Sequence, residues 1–299
     1  MNAKTLFVPI VIVFTSFFLF PFYFTFLPGI NTKMILAALG LVILLAKLGV
    51  KGHGFISKDF FLVSICALGI SAASFLSMVI NETSDGAYLA YIVTMWVWVG
   101  AAYCVTQMIK AVHGKINAEL ICYYMIAVGV FQCFLAIAID LVPIVKNIVD
   151  SFLAGEGFMG KADGRLYGVG CAYDVAGGRF AVLLVMISVL LPHMYKKENP
   201  NMSITILLMA FGIISVIGNM IGRTASVGMV IGILYMLFVI FSKQIPDKQG
   251  KSKFVYGILS FLCITIFVST VLYNFSDYWH NYFRFGFEGF FSLVEQGEW

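Results

Sequence analysis

Charge is scarce in this sequence. Asp, Glu, Lys and Arg together make up 11% of 299 residues, while 61% are hydrophobic and mean hydropathy is +0.96. A water-soluble domain of this length needs a polar surface that such a composition does not supply. Patterned cysteine and histidine are missing too. The six cysteines (66, 104, 122, 133, 171 and 263) show no CxxC or CxH spacing and fall mostly inside apolar runs, so they read as small buried hydrophobes. The four histidines (53, 113, 193 and 280) are scattered, which gives no metal cluster. The expectation is therefore no metal and no cofactor.

What is present is a succession of apolar runs long enough to cross a hydrocarbon core of ~30 Å. The fold class they predict is all-α, a polytopic transmembrane bundle forming a single integral membrane domain over residues 1–299. Nine spans are expected, at 5–27, 32–49, 59–80, 86–108, 119–141, 172–194, 202–218, 224–242 and 254–273. The first of these is too long for a signal-peptide core and lacks a small-residue cleavage site, so it reads as a retained span. The seventh and eighth form a hairpin that turns on GNMIGRTAS. Two further segments, 143–153 and 278–295, carry one apolar and one polar helical face and are expected to lie in the membrane interface.

Lysine placement orients the chain. With the N-terminus cytoplasmic, 12 lysines fall inside and three (33, 146 and 161) outside, a positive-inside pattern. Segments 142–171 and 274–299 then lie on the outer, periplasmic side. The four arginines (165, 179, 223 and 284) go the other way, all to the outer side or the outer part of a span. Topology is served equally well by lysine, whereas the planar guanidinium fork suits bidentate binding of phosphate or carboxylate. The arginines thus point to an anionic ligand at the outer surface.

No Asp, Glu, Lys or His falls at the centre of a span, where ion-coupled transporters handle their coupling charge. The polar chemistry lies instead at the outer ends. Arg165 closes a glycine-flanked loop, and Arg179 enters the sixth span. Asp174 stands five residues before Arg179, beyond the i,i+4 spacing, so spacing alone does not predict that they pair. Arg223 sits on the hairpin turn with the Thr224 and Ser226 hydroxyls and the N–H groups of a starting helix. That combination is a phosphate site or, equally, a snorkelling arginine that anchors the turn. Arg284 and Glu288, at i,i+4, read as a surface pair or as part of the ligand site. His280 is the one histidine placed outside.

The series GRLYGVG…DVAGGRFAVLLV, then GNMIGRTASVGMVIG, then FRFGFEGFFSLVEQGEW, over residues 164–299, resembles the O-antigen polymerase/O-antigen ligase family of bacterial envelope glycosyltransferases, most closely its Bacteroides-type members. The first 160 residues agree with that family only in hydropathy. The resemblance implies an enzyme of the bacterial inner membrane that transfers glycan from undecaprenyl pyrophosphate, at the outer leaflet, to an acceptor sugar hydroxyl, without metal or nucleotide sugar. By motif position it assigns catalytic roles to Arg165 and Arg223, with Gly222 in place of the usual serine. Beside these, Arg179, Asp174, Thr224, Ser226, Arg284, Glu288 and His280 are substrate-binding candidates by their own placement, and the surroundings of His280 match no motif of the family. The implied partners are the lipid-linked glycan, membrane lipids and, for a polymerase, a chain-length regulator; nothing points to nucleic acid. Ligases of the family carry a key histidine in a large periplasmic loop, and this sequence ends at Trp299, where that loop would begin. The expectation is a truncated chain holding the donor-binding half. A transporter or flippase of lipid-linked or small substrates, or an inactive remnant, stay open as alternatives.

Overall fold

The computed structural model describes residues 6–51, 57–86, 88–153, 165–194, 201–242 and 248–297. Its elements are helical apart from one short two-stranded sheet. Among the described residues, six helices are long and apolar enough to span a bilayer, so the chain is a multi-pass membrane protein. Contacts divide it into two compact units, 1–23 with 27–116, and 24–26 with 117–299.

The first unit begins with α1, Val8–Leu19, of 12 residues. The single span expected over 5–27 does not form. Phe20 precedes Pro21, and the proline ring disfavours helical backbone at the residue before it; Phe20 accordingly sits at φ −124°, ψ 72°. The chain leaves the helix for β1, Tyr23–Phe24, and β2, Leu27–Asn31, with Gly29 at φ +91° between Pro28 and Ile30. At ~1.5 Å per residue, 12 residues rise about 18 Å and do not cross the apolar layer. Next come α2, Thr32–Lys51, α3, Lys58–Asn81, and α4, Tyr91–His113. Ser57 starts α3 by accepting the Phe60 N–H at 3.1 Å, an N-cap. α2 and α4 meet through glycine: a Cβ built on Gly40 would lie 2.2 Å from the Gly100 carbonyl oxygen.

The second unit holds α5, Ala118–Leu141, α6, Pro143–Phe152, α7, Tyr173–Met194, α8, Asn201–Ile221, α9, Ala225–Phe241, and α10, Lys248–Phe275. The expected amphipathic segment 143–153 is helix α6. The expected segment 278–295 is divided: Phe287, at φ −118° and ψ 29°, ends α11, Asp277–Gly286, and α12, Glu288–Gln296, follows. Burial ranks the spans. The apolar windows of α7 and α8 are 56% and 61% buried, against 6% for α10, so α7 and α8 form the protein core and α10 shows its sides to the surroundings.

α7 and α9 are joined by a seam of small residues. A Cβ on Gly228 would sit 2.2 Å from Ala181 Cα, one on Gly232 2.5 Å from Ser188 Oγ, and one on Gly177 2.8 Å from the Gly222 carbonyl. With lipid tails as apolar as the helices, close backbone approach of this kind is what holds spans together. The seam ends at the α8–α9 turn, which fixes where Arg223 stands.

Candidate functional site

The loop bearing Arg165 is held from three sides. Gln132, 1% exposed on α5, donates from Nε2 to the Val169 carbonyl at 2.9 Å and accepts the Val169 N–H at Oε1 at 3.1 Å. One buried amide thus satisfies both polar groups of one loop residue, as a neighbouring strand would. Gly168 beside it must be glycine, because a Cβ would lie 2.3 Å from Gln132 Oε1. Tyr167 Oη donates to Asp150 Oδ1 on α6 at 3.0 Å, and Leu166 N–H donates to the Met220 carbonyl on α8 at 3.2 Å. Burial and the Asp150 carboxylate raise the Tyr167 phenol well above its usual pKa. The loop closes through a Gly168–Cys171 bridge with Gly170 at φ +67° and enters α7 at Tyr173, φ +56°. That value is uncommon for a residue with a Cβ and marks a backbone held by its surroundings.

This anchoring aims two arginines at one ring. The Arg165 guanidinium carbon lies 4.7 Å from the Phe285 ring centre and 5.6 Å from that of Tyr173, and the Arg223 carbon lies 4.4 Å from the same Phe285 ring. Phe285 adjoins Gly286, where an added Cβ would come within 3.2–3.3 Å of the Asn219–Met220 backbone at the end of α8. Arg284 forms a two-pronged pair with Glu295, Nη1 to Oε1 at 2.9 Å and Nη2 to Oε2 at 2.7 Å. Arg223 Nη1 pairs with Glu288. Among the described residues, Arg165 has ring contacts and no ion pair.

The expected Arg284–Glu288 pair is therefore corrected. The helix stops at Phe287, so residues 284 and 288 do not share one helical face, and each finds another partner. Around them opens a cleft of about 280 Å³ whose lining includes Arg223, Arg284, Phe285, Glu288, Phe291 and Glu295. Phe291 also lines an apolar groove of about 450 Å³ between α8, α9, α10 and the tail helices. The charged cleft and the apolar groove thus share Phe291 as a lining residue.

The other expected residues are placed differently. Ser226 Oγ donates to the Arg223 carbonyl at 2.7 Å, and the N–H groups of Ala225, Ser226 and Val227 bond to the carbonyls of Gly222, Arg223 and Thr224. These tight i to i−3 bonds occupy the first-turn donors of α9, so the turn offers a ligand the Arg223 side chain rather than a set of open amides. Thr224 is exposed at the N-cap and makes no side-chain cap. Asp174 is exposed in the first turn of α7, where a carboxylate suits the helix dipole, and among the described residues it has no ion pair. Arg179 is half-buried farther along α7, with the Cys171 thiol in its electrostatic surroundings. Neither lines the cleft. His280 is stacked on Tyr273 at 4.2 Å, its Nδ1 3.3 Å from the Tyr273 carbonyl, and also stands outside the cleft. Gln132, near a span end, and Glu295, on the polar face of the tail segment, carry no site role on sequence grounds, and neither do Tyr173 and Phe285. An amide inside an apolar run is the signal that points to Gln132.

No protein-family model matches the chain, and neither a curated protein nor a solved structure does.

Proposed function

We propose that this protein handles a lipid-linked diphosphate at the outer face of a bacterial inner membrane and takes part in glycan transfer from it, as an O-antigen polymerase or ligase does. The observation that carries the reading is that the arginine cleft and the apolar groove share Phe291 as a lining residue. A substrate with a diphosphate head and a polyprenyl tail needs both surfaces side by side. The apolar face of α6, where Ile144 and Ile148 are strongly exposed, and the two tail helices suit the plane of the interface.

In the proposed reaction an acceptor sugar hydroxyl attacks the anomeric carbon. The new C–O bond forms as the bond from that carbon to the phosphate oxygen breaks, and the diphosphate leaves with the electron pair. The hydroxyl proton passes to the departing diphosphate or to water. Negative charge grows on the leaving group, and fixed guanidinium groups stabilise it more in the transition state than in the ground state. Arg223, which lines the cleft, and Arg165, which is not among its lining residues but shares the Phe285 ring with Arg223, take this role. The test is glycan chain length in cells carrying Arg165→Ala or Arg223→Ala. A loss on the order of a hundredfold in transfer, with the protein still inserted, is expected. Normal chain length in both variants overturns the reading.

A further inference from the structure

The cleft already contains two anions. Glu288 and Glu295 stand seven residues apart on α12, two helical turns, and so share a face. That face meets two arginines from different elements, Arg223 on the α8–α9 turn and Arg284 on α11. Each carboxylate pairs with one guanidinium group, so a phosphate anion that binds either arginine must displace a carboxylate. All four side chains are between 44% and 52% exposed, and ion pairs at such exposure hold weakly. α12 has no buried residue of its own and follows the break at Phe287. Its apolar hold is through Phe290 and Phe291, which line the groove, the latter stacked on Tyr273 at 5.5 Å.

We infer that α12 is an internal competitor for the anion site. Its two carboxylates occupy Arg223 and Arg284 until a diphosphate displaces them, so that binding releases the charged face of α12 from the cleft. This rests on the proposed reading of the cleft as a diphosphate site and adds to it the regulation of that site. Loading then depends on exchange of anions rather than on filling an open pocket.

The experiment is equilibrium binding of two probes, inorganic pyrophosphate and a polyprenyl diphosphate, to the protein in nanodiscs. Wild type is compared with Glu288→Gln, Glu295→Gln and the double variant, in which the amide keeps shape and removes charge. Tighter binding is expected, about fivefold for each carboxylate removed, the size of a weak ion pair. Glu295→Gln alone gives a second reading should the double variant be recovered poorly. The pyrophosphate arm isolates the head group, and a larger gain with the polyprenyl probe assigns the ligand to the lipid. Unchanged or weaker binding in the glutamine variants, with wild type binding normally, overturns the displacement and leaves the function standing. Absence of binding to wild type and double variant alike overturns both.

Discussion

Two helix pairs in this chain close through glycine, and they end in different chemistry. In the first unit α2 and α4 touch at Gly40 and Gly100, and their charges stand apart from one another. Lys33, buried, lies over the Trp98 ring at 3.0 Å, and Lys47 bonds Gln107. In the second unit α7 and α9 touch along Gly177, Gly222, Gly228 and Gly232, and the seam runs out among Arg165, Arg223 and Arg284. A cation set over a ring or bonded to an amide is a structural anchor. Three guanidinium groups gathered about Phe285 and Phe291 repel one another unless anions intervene, and the protein supplies two carboxylates to them. Identical packing devices therefore say nothing of function; the charge at the end of the seam does.

The comparison breaks most sharply at the glycines. Gly228→Leu and Gly40→Leu each drive a side chain into backbone 2.2 Å away. Each should cost more than ~3 kcal/mol and lose folded protein, as seen by thermal unfolding in detergent. Gly178→Ala, adjacent to Gly177 but open on its Cβ side, should stay near neutral. Equal loss at 178 and 228 would sink the seam as an explanation. Next in size is Gln132→Leu, which strands both the N–H and the C=O of Val169. Each lost partner costs ~1–3 kcal/mol. The loop at Arg165 should gain hydrogen exchange while α2 and α4 keep theirs.

Much of this was legible in the residues, for reasons that also mark the limits. Apolar runs and their lengths locate α3, α5, α7, α8 and α10 within a few residues, because hydropathy over twenty positions is what a bilayer reads. The run from Leu6 to Leu27 misleads, since hydropathy does not register that Pro21 denies Phe20 a helical conformation. In the candidate site, the arginines named from sequence are partly brought together, Arg165 and Arg223 on the Phe285 ring and Arg223 and Arg284 in one cleft, while Arg179 stands apart. Their partners were not legible. The choice of Glu295 over Glu288 for Arg284 depends on a helix break at Phe287, and the Phe285 ring meets Arg165 and Arg223 from two other elements. Neither is a property of local sequence.

Each unit sets a cation over a ring, which allows a direct comparison. Phe285→Leu removes the face that Arg165 and Arg223 share, and Trp98→Leu removes the one over which Lys33 lies. Cation–ring contacts at such sites contribute ~0.5–2 kcal/mol. Trp98→Leu should lower stability and leave diphosphate binding unchanged. Phe285→Leu should weaken binding several-fold with a comparable loss of stability. Equal binding by both variants would erase the distinction drawn between the seams.

The smallest effect is acid titration of the Arg284–Glu295 pair. Bonding to Arg284 holds the Glu295 carboxyl below the ordinary glutamate pKa, and bonding to Glu295 holds the guanidinium above the ordinary arginine value. A carboxylate with a lowered folded-state pKa stabilises the folded form above its unfolded value, and that contribution fades as pH falls through the folded one. The arginine's share fades only above its own ordinary range, far into base. Loosening of α12 should therefore begin below the usual glutamate range and be absent from neutral to moderately basic pH. Both groups are solvated, so salt should mimic acid weakly. Exchange rates of α12 amides, corrected for intrinsic pH dependence, measure this, with Glu295→Gln as the reference that has no such step. Loosening that starts instead near neutral pH would mean that another group, and not this pair, fastens α12 over the arginines.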